Sequence, residues 1–411
     1  MKVDVLPRFI RTEGTPHEFD LLAKIVLCSG PDGQRGRIVL PRHTNFDKLL
    51  ELGERHRVLG LLARKVTSGE VDGLPDPLRI RLEAIARDQS LSFLRQTAET
   101  IRIVRILEAN GVSVIVLKGC PLALKLYEGC PEVRHSSDID LLVAPEDHSE
   151  AERVLGRDGY VRITPGSRLP QSAASMAHLL LNAYEFFDFD RGTTVELHHR
   201  PLSDPYIFSV SFDKLLAQSE RMNIGGETVC TLGSEHLAVY LCCHAAGDMC
   251  FRMKWIADLT RLFEARDQQA VGAVLDCARA LGCKRSVQFV LVLLEELMGR
   301  RYRIFKNSER EAVGSLVRGA KAALLAPDRE SRHFQFSYVL PDVIKLFDEV
   351  RLAETWSSRG FALLRHLANH KDLGTLRLGA EWCLLYAIVG RPLALLRWVH
   401  RTLRPQAPIM P

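Results

Sequence analysis

Apolar positions along the chain recur at a helical period up to about residue 110, switch to a strand period, and return to the helical one after residue 232. From Asn45, Phe46, Leu49 and Leu50 and then Val58, Leu61, Leu62 and Val66 fall on helix faces. The stretch "VDGLPDP" breaks the pattern. A long helix is predicted from about Leu78 to Asn110, with Leu91, Leu94, Ala98, Ile101, Val104 and Leu107 inward and Asn110-Gly111 as its stop. "VSVIVL" (112–117) is β-branched and almost continuously apolar, which predicts a buried strand. Pro121 opens a short helix ending near Tyr127. "DIDLLV" is the next strand, and "PEDHSEAERVL" a helix with acids in its first turn. "YEFFDFDRGTTVELHH" alternates as a hairpin turning at Asp190-Arg191-Gly192. Strand signals then fade after Pro201. From Ser234, taken as an N-cap, one helical run extends through "LTRLFEA", and most of the remainder is helical, with breaks near Pro327, Pro341 and Pro392. Residues 1–44 are mixed, with "SGPDGQRG" as a loop. The expected order is a mainly helical region (1–110), a small α/β core (111–232) and a helical region (233–411): an α+β fold.

Composition narrows the function only slightly. The chain has 411 residues, 46% hydrophobic and 26% charged, with a formal net charge of +5. That is a globular profile with room for two or three domains. The mild positive balance suits an anionic ligand such as a nucleotide rather than a dedicated nucleic-acid surface. No run is long enough to span a bilayer, and the N-terminus lacks the apolar core of a signal peptide, so a cytoplasmic protein is expected. The ten cysteines read as reduced core side chains. The cluster Cys242, Cys243, His244 and Cys250 follows a helical pattern and matches no zinc spacing.

The chemistry concentrates in "VLKGCPLALKLYEGCPEVRHSSDIDLLV" (116–143). Side chains alternate along a strand, so Asp138 and Asp140 share one face and Ile139 and Leu141 the other. Two adjacent carboxylates repel each other, and removing either charge is expected to relieve the metal-free protein. A hard divalent cation resolves the conflict; so, more plainly, does exposure of that face to solvent. Glu196 and His198 likewise share a face of a second strand, and His198 either orients substrate or is a polar strand histidine. Lys118-Gly119 ends a strand and precedes a helix N-terminus, a setting suited to phosphate. Lys125, Arg134 and His135 supply cations nearby. His244 and Asp248, and Lys254 and Asp258, are spaced i,i+4. The second pair reads first as a salt bridge holding its helix on the core and otherwise as lining of an acceptor pocket. His56 and Trp255 read as interior side chains.

Taken together, these segments resemble the bacterial uncharacterised nucleotidyltransferase family, within the polymerase-β-like nucleotidyltransferase superfamily. The matching elements are "VLKGCPLALKLY", Arg134 with "SDIDLLV", "VELH", an upstream "GERHRVLGLLARKV" and a downstream His244-Ala245-Ala246 with "KWIADLTRL". The resemblance covers roughly residues 45–265. It implies a small mixed β-sheet core between flanking helical regions, with two Mg²⁺ ions held by Asp138, Asp140 and Glu196. Nucleotide would be bound by Lys118, Gly119, Cys120, Arg134 and Ser137. His198, His244, Lys254 and Asp258 are possible substrate contacts. A nucleoside monophosphate would pass from an NTP, ATP among them, to a hydroxyl or phosphate of a small molecule or peptide. Cys120 departs from the superfamily pattern, where Gly or Ser stands. A thiol is a weak donor, which shifts phosphate contact onto backbone amides and Lys118.

Two other functions compete: a toxin-like enzyme of the same fold acting on tRNA ends, and a nucleotide-binding protein without activity. The absence of a basic stripe interleaved with aromatics disfavours the first, and the presence of all three carboxylates disfavours the second. The basic amphipathic tail "LGAEWCLLYAIVGRPLALLRWVHRTLRP" reads as a domain cap or as a membrane-surface helix. The acceptor, the preferred NTP and the oligomeric state are not encoded in any motif.

Overall fold

The computed structural model describes residues 17–27, 38–165, 171–299, 301–302, 304–326 and 339–367. The "SGPDGQRG" loop, the break near Pro327 and the basic tail lie outside the described residues. The elements run α1 (His17–Leu27), β1 (Ile38–Val39), α2 (Phe46–Arg55), α3 (Leu59–Thr67), β2 (Val71–Asp72) and α4 (Asp76–Ala109). Then come β3 (Ile115–Val116), α5 (Cys120–Leu126), β4 (Asp138–Leu142), α6 (His148–Arg157), β5 (Val161–Thr164), α7 (Gln171–Leu180), β6 (Ala183–Asp188) and β7 (Thr193–His198). They are followed by α8 (Phe212–Ala217), β8 (Glu220–Ile224), β9 (Glu227–Thr231), α9 (Ser234–Gly247), α10 (Met253–Glu264), α11 (Gln268–Ala280), α12 (Lys284–Met298), α13 (Asn307–Leu325), α14 (Val339–Leu352) and α15 (Trp356–Leu367).

The fold is α+β. Seven strands form one mixed sheet in the order β5-β6-β7-β4-β3-β9-β8. At its centre β4 runs parallel to β7 and antiparallel to β3. Strand alternation decides what each face meets. Ile139, Leu141, Val195 and Leu197 join Ile103, Val104 and Leu107 of α4 and Val154 and Leu155 of α6 in one buried cluster. The opposite face, carrying Leu142, belongs to a larger cluster shared with α1–α3 and α9–α13. Asp138 and Asp140 lie on that second face, beneath the helices that follow the sheet.

Several expectations change. The hairpin β8–β9 and the strand β5 were not anticipated. β8 and β9 are joined by Gly225-Gly226, both at positive φ (62° and 91°), with Ile224 opposite Glu227. That is the backbone of a tight two-residue turn. The strands are short and half exposed, which weakens their apolar signal. The single helical run after Ser234 is two helices, because Met249 and Cys250 take φ of 52° and 50° and turn the chain. Gly233 rather than Ser234 is the N-cap of α9, and Ser234 Oγ instead accepts from Arg266 at 2.7 Å. In α4, Leu91 and Leu94 are exposed. The helix is buried through Leu82 near its start and Thr100, Ile103, Val104 and Leu107 near its end. A helix of this length extends beyond its core at mid-span, so its pattern reads the wrong face there.

Candidate active site

The parallel pairing of β4 with β7 sets Asp140 opposite Glu196 and Asp138 opposite Thr194. His198, two residues beyond Glu196, points to the same side. Its Nε2 stands 3.4 Å from Asp140 Oδ1 and 3.4 Å from Glu196 Oε2. Asp140, Glu196 and His198 each offer a ligand atom, all within 4.8 Å of one another. Lys118, at the end of β3, brings Nζ to 2.9 Å from Asp140 Oδ1. Even so, Asp140 Oδ2 has no hydrogen-bond partner among the described residues, while Oδ1 is shared by Lys118 and His198. A buried carboxylate oxygen of that kind is costly unless a partner arrives, and a cation is the partner that it fits. Asp138, Asp140 and Glu196 are hard oxygen donors suited to Mg²⁺, whereas the His198 nitrogen suits it less.

Charge is unevenly shared. Burial works to raise the Asp140 carboxyl, but Lys118 and His198 beside it pull it well below the carboxylate range. Burial and then the Asp140 charge raise Asp138. Burial tends to lower His198, yet Asp140 and Glu196 lift it to about 9. Burial, and after it the Lys118 charge, carry His244 down to about 3.

Two cavities meet at these groups. The smaller, about 280 Å³, holds Asp138, Asp140, Arg57, Arg134, Ser136 and Lys254. The larger, about 350 Å³, runs past Asn182, His198 and Tyr240 to α14 and α15. Lys118, Glu196, His244 and Asp248 line both.

The other sequence-derived residues are distributed as follows. Arg134 is buried and paired with Asp258, whose oxygens also accept from Arg134 Nε at 3.0 Å and from the Tyr127 hydroxyl at 2.7 Å. The expected Lys254–Asp258 bridge therefore gives way to one between α10 and the segment after α5. A guanidinium offers a carboxylate two donors where an ammonium offers a point charge. Lys254, half-buried, faces the smaller cavity instead. Burial first and Arg134 second lower its ammonium to about 7. Asp248 is the C-cap of α9 and pairs with Lys345 at 3.0 Å. Gly119 takes φ 71° and ψ −135°, which a side chain would strain, and forms the N-cap of α5. The Cys120 thiol is buried in the α4-side cluster, pushed up to about 11 by burial, and lines neither cavity. Ser137 is exposed and outside both cavities, while its neighbour Ser136 lines the smaller one. Lys125 pairs with Glu220. His56 is buried and accepts from Met253 N at 3.2 Å, tying α2 to α10. Trp255, expected in the interior, sits edge-on to His244 and Phe251 at the smaller cavity.

A family model described as uncharacterised nucleotidyltransferase matches residues 42–299. The chain belongs to that family. The protein is therefore a nucleotidyltransferase, and an NTP is its substrate. No curated protein and no solved structure matches the chain. The matched span contains β4, β7, α9 and α10, so every carboxylate described above lies within the family's region. Sequence reasoning missed Arg57, Ser136, Asn182 and Tyr240, which this nucleotidyltransferase brings to its cavities. Arg57 lay in plain view beside His56 in "GERHRV". Asn182 and Tyr240 carry no motif of their own. No helix among the described residues is long and apolar enough to cross a membrane.

Proposed function

We propose that this nucleotidyltransferase uses Mg²⁺ to move a nucleoside monophosphate from an NTP to an acceptor bound in the larger cavity, releasing pyrophosphate. The observation that carries this reading is the register of β4 against β7. It seats Asp140 beside Glu196 where the two cavities join. Asp138, Asp140 and Glu196 would hold the metal, as two ions. Bound there, Mg²⁺ would neutralise charge on the α-phosphate and make the acceptor oxygen a better nucleophile. The triphosphate occupies the smaller cavity, where Arg57 and Lys254 face its charge, and Lys118 spans the junction. The acceptor oxygen forms its bond to the α-phosphorus. The bond from that phosphorus to the oxygen bridging the β-phosphate breaks, and pyrophosphate leaves with both electrons. Glu196 takes the acceptor proton.

The test is where label goes. With Mg²⁺ and an acceptor-containing extract, α-labelled NTP should mark a product, while γ-label should appear only in pyrophosphate. Transfer of γ-label to the acceptor with release of nucleoside diphosphate would mean phosphoryl transfer and would end this reading.

Glu196→Gln should separate binding from chemistry. NTP dissociation constants should stay within a few-fold while turnover falls by about 10²-fold or more, as for loss of a positioned proton acceptor. Turnover at the wild-type rate would remove Glu196 from the reaction.

Lys254 gives a pH signature. Its ammonium sits near 7 in the free protein, and a bound triphosphate holds it protonated. Binding should therefore take up a proton above pH ~7, and NTP affinity should fall as pH rises past that point. Binding heats compared across buffers of different ionisation enthalpy report the uptake. Lys254→Met should abolish it and weaken NTP binding about tenfold or more, as a lost charged hydrogen bond does. Identical proton uptake in Lys254→Met would assign the titration elsewhere.

A further inference from the structure

The family match ends at residue 299, yet the far wall of the larger cavity comes from α14 and α15, beyond that limit. That wall is built from matched charges. Lys345 pairs with Asp248 at 3.0 Å, and Arg365 pairs with Glu349 at 2.5 Å. Asp204 accepts from the Ser358 hydroxyl and from Tyr206 N. The lining also includes the apolar side chains of Leu202, Ile207, Leu352 and Phe361. At the inner end stands His198, buried, with Nε2 3.4 Å from both Asp140 and Glu196. The smaller cavity is different in kind, since Arg57 and Lys254 there have no ion-pair partner within 4 Å among the described residues.

We propose that the larger cavity takes an uncharged, polyhydroxylated acceptor about the size of one sugar ring, and that α14 and α15 select it. This rests on the nucleotidyl-transfer reading above and narrows its acceptor to a hydroxyl. A phosphate entering this cavity would lose its water, find Lys345 and Arg365 already paired with carboxylates, and meet Asp204 as a like charge with no cation within 4 Å among the described residues. Hydroxyl groups meet no such cost. They donate to the free lone pairs of Asp248 and Glu349 and accept from the remaining N–H groups of Lys345 and Arg365. One hydrocarbon face of a ring packs on Phe361 and Leu352. The volume, about 350 Å³, is large enough to admit one hexose ring. The ring hydroxyl at the inner end forms the new oxygen–phosphorus bond, its proton passes to Glu196, and pyrophosphate departs.

The experiment divides a small-molecule extract of the producing cells by charge at pH 7, into an unretained fraction, an anion-exchange fraction and a cation-exchange fraction. A macromolecular fraction is kept separately. Each is incubated with the full-length protein, Mg²⁺ and α-labelled NTP. Label transfer confined to the unretained fraction, and lost after periodate cleavage of vicinal diols, is the expected result. Transfer into the anionic, cationic or macromolecular fraction alone overturns the proposal and leaves nucleotidyl transfer standing. Silence in every fraction and in the undivided extract counts against the transfer reading itself. Arg365→Ala and, separately, Glu349→Gln should each cut the rate at limiting unretained fraction about tenfold, with the NTP KM within twofold. A fall in NTP affinity equal to the fall in acceptor use, in both variants, would place the wall outside acceptor selection.

Discussion

Asp140→Asn should abolish nucleotidyl transfer and also weaken the fold, whereas Asp138→Asn should abolish transfer and leave stability unchanged or raised. On sequence grounds the two aspartates are equivalent, and loss of either charge relieves repulsion. Their partners make them different. Asp140 is about 1% exposed and faces Lys118, whose side chain is only 14% exposed. Asparagine there leaves a buried ammonium without its closest counter-ion, which costs about 3 kcal/mol. Asp138 has no ion-pair partner within 4 Å among the described residues, and its carboxyl is raised by burial and by Asp140. Neutralising it removes a repulsion. Thermal midpoints without Mg²⁺ and the stabilisation gained with Mg²⁺ and NTP check both. Two variants of equal metal-free stability would mean that Lys118 does not depend on Asp140.

Asp258→Ala is the second large effect, and it is structural. Arg134 and Asp258 are each 3% exposed at the side chain, and Tyr127 donates to the same carboxylate. Alanine strands a guanidinium and a hydroxyl in the interior, at a cost of about 3–5 kcal/mol. Replacing the pair together, as Arg134→Met with Asp258→Leu, should recover most of that, short by what the Tyr127 hydroxyl loses. Denaturant midpoints of Arg134→Met, Asp258→Leu and the double form the cycle. Purely additive losses would show that the two side chains do not support each other, and Arg134 would then be free to serve the nucleotide alone.

Asp138, Asp140 and Glu196 fall inside the matched residues 42–299, and α14 and α15 fall outside.

Much of this was written locally. The alternation in "DIDLLV" and "TVELHH" assigns Asp138, Asp140, Glu196 and His198 to one side of their strands, since a period of two is a property of the extended backbone alone. Helix stops at Asn110-Gly111 and the opening of α5 at Pro121 follow equally local rules. The hairpin at Gly225-Gly226 was also legible in principle, through its paired glycines. Which groups meet across the fold was not. The sequence pairs Asp258 with Lys254 one helical turn away, and the fold pairs it with Arg134, because burial of α10 against the segment after α5 rewards the partner with two donors. Lys118 reaches Asp140, and α14–α15 close the larger cavity, only because separated elements pack together. Local spacing fixes the direction a side chain points; packing alone decides what it finds there.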